Sequence, residues 1–344
     1  MYYSLLCLSF FLTSLGFADE APLDPGRKLI VPVTEAKFPS LADRVFAISR
    51  PQNNKLSDLI SLQTPVKSQG SRGTCSIFAS MGHLESVFKI IYKTDLDLAE
   101  NYLEYLVMAK VKSFPSEGSD IAYNVPAFRS YGAIIEELWP YEDADWAESQ
   151  PTGTEAERAK EVCGDLADKE KQICLLAHMD PNEDPYAETA TEFRSAFNLD
   201  RLSFTFMTRD LEIKDLLSKN YPVLLSLEFF YGAWNHRKMV EYGIGEIDQE
   251  KWDAGVVGVP TKEDIELSRA HPAGHVIVLV GYDDEKRVFY FKNSWGKHSF
   301  GVSSNLLGEG TTPGYGTIPY SYAYKHGTFY DVYLTNERGW IIRK

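Results

Sequence analysis

Residues 275–293 read HVIVLVGYDDEKRVFYFKN. Two apolar, β-branched and aromatic runs, 275–282 and 287–293, flank the polar Asp283-Asp284-Glu285-Lys286. That arrangement predicts a β-hairpin. With the turn centred on Asp284, His275 faces Asn293, Ile277 faces Phe291 and Leu279 faces Phe289, and alternate side chains share a face. Local folding alone then sets an imidazole beside a carboxamide. The Asn293 amide can accept from one ring nitrogen and leave the other available as a base.

Upstream, residues 221–227 (YPVLLSL) read as a buried strand, and 200–344 as a whole carries strand rather than helix signals. The front half differs. Ile77, Met81, Leu84, Phe88 and Ile91 recur at steps of three and four, which predicts a helix starting at Cys75 with Thr74 as its N-cap. Further helices are expected over about 97–111 and 121–133. Residues 142–195 are acidic and Ala-rich with few β-branched residues, and read as an inserted helical segment. A helical front and a β back predict an α+β chain of two lobes packed around a cleft.

A nucleophilic thiolate needs a cysteine in a positive field, a base, a group that orients the base, and donors for an oxyanion. Cys75 sits in the first turn of its helix, where the dipole favours a thiolate. Gly70-Ser71-Arg72-Gly73 before it lets backbone and ligand approach closely. His275 and Asn293 supply base and orienter. Gln69, six residues before Cys75, can donate its side-chain amide alongside the Cys75 N–H.

Residues 65–79 (PVKSQGSRGTCSIFA), the Gly274-His275-Val276 and Val280-Gly281-Tyr282 steps, and 292–296 (KNSWG) together resemble the cysteine, histidine and asparagine segments of papain-like cysteine peptidases. The resemblance runs over about 56–141 and 200–335, and includes Pro222-Val223 with Ser226 and Glu228, and Leu138-Trp139-Pro140-Tyr141. It implies a two-lobed papain-like fold, helical N-terminal lobe and antiparallel β C-terminal lobe, over residues 51–344. It implies peptide-bond hydrolysis through an acyl-thioester: Cys75 as nucleophile, His275 as base and then acid, Asn293 as orienter, Gln69 in the oxyanion hole. Trp295 would shield the His275–Asn293 bond. Gly118 and Ser119 would meet substrate backbone, and Ser226 and Val276 the second residue before the scissile bond.

The chain departs from the family pattern at several points. Arg72 stands where a disulfide cysteine is usual, and Ser76 where a tryptophan follows the nucleophile. Residues 142–195 and 232–272 look like insertions able to cover or extend the cleft, and 314–320 fits a final strand approaching the site. A peptidase fold without activity that binds peptides, or a Cys-His acyltransferase on the same fold, remain alternatives.

The net charge of −14 argues against a nucleic-acid partner or adhesion to an anionic membrane. A peptide or protein substrate is the partner expected, with no metal and no cofactor. His83 lies about 12 Å along the helix from Cys75, too far to be the base, and Pro272 and Gly274 break any helix that would align His271 with His275 as metal ligands. Residues 1–18 (MYYSLLCLSFFLTSLGFA) read as a signal peptide too short to span a bilayer, though without a basic start, and 19–50 as an arm or short pro-segment. A secreted or periplasmic product, with no stable membrane association after leader removal, is expected. The mature chain keeps Cys75, Cys163 and Cys174. On one unbroken helix Cys163 and Cys174 would stand about 16 Å apart. A break at Gly164-Asp165 would let them pair; the other reading is two buried thiols.

Overall fold

The apolar pattern of the front half closes into helices, as a computed structural model describing residues 56–143, 146 and 153–342 shows. The leader (1–18) and the arm (19–50) lie outside the described residues. The helices are α1 (Leu56–Ser61), α2 (Cys75–Tyr92), α3 (Glu100–Tyr105), which runs into a π-helical stretch Leu106–Lys112, α4 (Ile121–Tyr131), α5 (Gly153–Cys163), α6 (Asp168–Ala177) and α7 (Ala187–Ala196). The helical segment expected over 142–195 holds α5, α6 and α7. α5 stops at Cys163 and the chain reverses before α6, so Cys163 and Cys174 meet in a disulfide with Cα atoms 5.7 Å apart.

The back half holds β1 (Leu202–Met207), α8 (Asp210–Ser218), β2 (Val223–Glu228), α9 (Lys238–Glu241), α10 (Gln249–Asp253), α11 (Lys262–Ala270), β3 (Gly274–Asp283), β4 (Val288–Lys292), β5 (Tyr315–Pro319), α12 (Tyr320–His326), β6 (Gly327–Thr335) and β7 (Ile341–Ile342). The described strands form one antiparallel sheet in the order β1-β6-β2-β3-β4-β5, with β7 pairing β6. The expectation that 200–344 lacks helices is thus corrected. α11 had a readable start, since Thr261 caps it by accepting from the Asp264 N–H. Residues 314–320 do form an edge strand, but α12, β6 and β7 follow it.

The hairpin register also differs from expectation. Val278 pairs with Lys292 and Leu279 with Phe291, two residues away from a turn centred on Asp284, and a bulge separates Leu279 from Gly281. A Cβ on Gly281 would come within 2.7 Å of Leu56 Cδ1, so glycine lets α1 lie on β3 at the bulge.

α2 is the element around which both lobes pack. It touches α3 and α4 on one side and β2 and β3 on the other. All its residues except Lys89 and Tyr92 are buried. The apolar stripe therefore understates its enclosure: Ser80, His83, Glu85 and Ser86 are buried too. Each finds a partner, as buried polar groups must. Asn124 Nδ2 bonds Ser80 Oγ, His83 Nε2 lies 3.2 Å from Val332 O, and Ser86 Oγ donates to Gln63 Oε1. Glu85 accepts from Thr64 Oγ1 and from the Leu98 N–H. Thr74 occupies the N-cap position without capping; its hydroxyl bonds the Tyr141 hydroxyl instead.

The Glu85 cluster spans the lobe boundary. Lys67 Nζ lies 2.9 Å from Glu100 and 3.5 Å from Glu85, and Lys292 Nζ donates to Thr64 Oγ1 at 3.1 Å. Burial pushes the Lys292 ammonium down to about 8, with Glu85 pulling it up and Lys67 pushing it down. The folded chain thus gives up this proton near pH 8, whereas an exposed lysine holds it to about 10.4. Between those values the unfolded chain binds more protons, so this group makes stability rise with pH. We expect the unfolding free energy of wild type, relative to Lys292→Met, to rise by about 2–3 kcal/mol from pH 7.5 to 10. Urea titrations of both proteins at the two pH values measure it; a pH-independent difference contradicts the assignment.

Candidate active site

Cys75 opens α2 at the lobe boundary, and its Sγ–H reaches the Gly274 carbonyl of the histidine strand at 3.9 Å. The loop before it turns at Gly70, whose φ of +60° is open to glycine; a Cβ there would stand 2.9 Å from the Asp143 carbonyl. Cys75, His275, Gln69 and Trp295 all line one cavity of about 840 Å³.

His275 Nε2 and Asn293 Oδ1 are 2.8 Å apart, and both side chains are buried. A carboxamide oxygen only accepts, so Nε2 carries the proton and Nδ1 of a neutral ring is the basic nitrogen. The expected pair is therefore present, but a direct cross-strand position does not produce it. The β4 ladder ends at Lys292, and the Asn293 N–H donates to Gly314 O instead. Carried past that point, the observed register sets His275 opposite Trp295, and the two rings stack at 4.7 Å. Trp234, fully buried, meets His275 edge-on at 5.2 Å, Phe229 does so at 6.0 Å, and Trp252 stacks behind Trp295 at 5.7 Å. These rings keep water from the His275–Asn293 bond. Phe229, Trp234 and Trp252 escaped the sequence reading; the aromatic density of 229–234 (FFYGAW) was the only signal for the first two, and Trp252 had none.

Gln69 is clamped from both lobes. Its Nε2 donates to Arg72 O, its Oε1 accepts from Ser294 Oγ, both at 2.7 Å, and its N–H donates to Ser294 O. An amide nitrogen carries two protons, so the bond to Arg72 leaves one for a ligand in the cavity.

Arg72 does more than leave a disulfide out. It is 1% exposed, and its five N–H groups meet five acceptors. Nε donates to Glu117, Nη1 to Asn101 Oδ1 and Glu142 O, and Nη2 to Glu104 and Leu176 O. The other Glu117 oxygen accepts from the Gly73 N–H at 2.9 Å. One guanidinium thus ties the Cys75 loop to α3, to the 117 loop and to α6. Ser76 is fully buried in the first turn of α2, and its Oγ has no hydrogen-bond partner among the described residues.

Four other expected residues do not line the cavity. Gly118 O accepts from Lys112 Nζ, and Ser119 Oγ donates to Asn124, which in turn bonds Ser76 O in α2. Ser226 and Val276 are paired neighbours inside the sheet. Residues of the 232–272 stretch instead build the opposite wall, through His236, Trp252 and His271 among others. Burial, then Arg237, Lys238 and His275, pushes His236 down to about 3, so its ring stays neutral. Its Nδ1 accepts from the Lys238 N–H at 3.3 Å, which puts the ring proton on Nε2.

Removing the Arg72 cation takes the counter-charge from the buried Glu104 and the half-buried Glu117 carboxylates. Arg72→Met is expected to lose about 3–5 kcal/mol of unfolding free energy. The triple variant Arg72→Met/Glu104→Gln/Glu117→Gln is expected to regain part of it, because no charge is then stranded. Urea denaturation measures both, and a single variant within about 1 kcal/mol of wild type contradicts the role given to Arg72.

Comparison with known proteins agrees with this fold. The family model described as Peptidase_C39 like family matches residues 129–306, just over half of the chain. That span contains His275 and Asn293; Cys75 and Gln69 precede it. No curated protein sequence matches. Among solved structures, xylellain, a cysteine protease from Xylella fastidiosa, superposes with a TM-score of 0.52 at 18% identity, over 84% of this chain and 91% of that one. The clostridial cysteine protease Cwp84 superposes with a TM-score of 0.50 at 17% identity, over 82% of this chain and 58% of that one. At these identities the likeness is one of fold. The chain belongs to the Peptidase_C39-like family and has the fold of the papain-like cysteine proteases.

Proposed function

We propose that this chain is a cysteine peptidase that hydrolyses peptide bonds through Cys75. The observation that carries the reading is the 2.8 Å His275–Asn293 hydrogen bond in a cavity that Cys75 also lines. His275 Nδ1 takes the Cys75 proton, and the thiolate attacks the substrate carbonyl carbon. Gln69 Nε2–H and the Cys75 N–H hold the oxyanion. Collapse breaks the C–N bond, and the amine departs with the proton from His275. Water, deprotonated by His275, then attacks the thioester, which releases the acid and restores the thiol. Asn293 keeps the ring in its tautomer throughout, and Trp295 shields their bond.

The substrates are peptides or proteins. The 1–18 stretch and the Cys163–Cys174 bridge support export to an oxidising compartment, hence a secreted or periplasmic enzyme. Among the described residues no helix is long and apolar enough to cross a membrane.

The test is a mixed peptide library incubated with wild type, Cys75→Ala and Gln69→Ala, with the products sequenced. Wild type is expected to cleave, Cys75→Ala to lose all cleavage, and Gln69→Ala to fall by about 10²–10³ in kcat. Cleavage that survives in Cys75→Ala removes the mechanism.

A further inference from the structure

A second, much smaller cavity adjoins the His275–Asn293 pair. It measures about 20 Å³, room for about one water molecule, and Phe78, Ala79, Gly82 and Glu85 of α2 line it together with Lys292 and Asn293. Asn293 lines this cavity and not the larger one. Its carboxamide is fixed end for end. The Ser294 backbone N–H can only donate, and it does so to Oδ1 at 2.9 Å, the same oxygen that accepts from His275 Nε2 at 2.8 Å. Nδ2 is therefore the other end of the group. That nitrogen is buried, in a side chain 4% exposed, and has no hydrogen-bond partner among the described residues.

Lys292 reaches the same cavity. Neighbouring residues of a strand point to opposite faces, but β4 ends at Lys292, and both it and Asn293 line the space. Lys292 is 7% exposed, and its one hydrogen bond among the described residues goes to Thr64 Oγ1. A lysine ammonium has three protons to donate. On the α2 side, a Cβ built on Gly82 would meet only Lys292 Nζ outside its own helix, at 3.4 Å. Glycine there keeps the cavity open. Buried donors that lack a protein partner are ordinarily met by ordered water. A water accepts twice, so one molecule can serve Nδ2 and Nζ together. Glu85 offers it an acceptor: its carboxylate accepts from Thr64 Oγ1 and the Leu98 N–H and has lone pairs left.

We propose that this cavity is a site for one ordered water that joins Lys292 Nζ to Asn293 Nδ2, and that the link makes Lys292 a positioning residue for His275. Held at both ends, the carboxamide cannot turn its oxygen away from His275 Nε2. Lys292 lies outside the larger cavity and acts on the chemistry only through Asn293. The role given to Lys292 rests on the peptidase reading; the water site does not.

High-resolution crystal structures of wild type and Gly82→Ala test the site, and kinetics of both and of Lys292→Met test the role. Gly82→Ala adds a methyl to the cavity and removes no charge, and alanine is the better helix former, so folding is kept. kcat and KM are measured on one cleaved peptide, and the rate of Cys75 alkylation by iodoacetamide is measured at about pH 6. Wild type is expected to show a water oxygen about 2.7–3.2 Å from both nitrogens, and Gly82→Ala to show none. Both variants are expected to lose about tenfold in kcat with KM changed by less than about twofold, and to alkylate about tenfold more slowly. No water between the two nitrogens in wild type, or an Nδ2 bonded to a protein oxygen, overturns the site. A water in place, with kcat and alkylation unchanged in both variants, overturns the positioning role and leaves the peptidase reading standing. Wild type that cleaves no peptide overturns the peptidase reading, and the crystal structures still decide the water site.

Discussion

The burial of α2 between the lobes is the constraint on which the rest depends. A helix enclosed on nearly every side cannot shift or rotate without stranding Glu85, His83 or Ser80 away from its partner. Those partners come from both lobes, so satisfying them fixes where the sheet stands against the helix. The position of the sheet in turn fixes where β3 begins, and there Gly274 O meets Cys75 Sγ. The placement of Cys75 against the start of the histidine strand is thus a consequence of core packing.

Arg72 and the lobe-boundary cluster extend the same logic to the loop before α2. A guanidinium costs several kcal/mol to bury and is tolerated only when its donors are matched. Here the five acceptors come from five separate residues. The loop that carries Gln69 and Gly73 therefore inherits the rigidity of the helical lobe. Where the family resemblance leads one to expect a covalent bridge, this chain has an ionic one, and it recruits α6 of the disulfide-linked hairpin through Leu176 O.

Much of this was legible in local patterns. Helical spacing marked α2 and set Cys75 at its start, and a glycine-aspartate break between two cysteines anticipated the Cys163–Cys174 hairpin. The His275–Asn293 pair was also anticipated, though for a reason the structure replaces: the bulge at Gly281 shifts the register, and Asn293 reaches His275 from beyond the ladder. A bulge follows from how α1 packs on β3, which no hairpin pattern contains. The cavity wall was hidden for a similar reason. Residues 232–272 have weak periodicity, and only their folding back over Trp295 brings His236, Arg237 and Lys238 to the site. The expectation of a helix-free back half failed because short capped helices such as α11 carry little periodic signal. Gly118 and Ser119, expected at substrate, use their polar groups on Lys112 and Asn124.

The central claim is that His275, oriented by Asn293, makes Cys75 a nucleophile. The pH dependence of Cys75 alkylation by iodoacetamide, in wild type and in His275→Ala, tests it most directly. Wild type is expected to react rapidly already at about pH 6, where an ordinary thiol is barely ionised, and His275→Ala to slow by about tenfold or more there and recover only in alkali. Superimposable profiles for the two proteins would contradict the account.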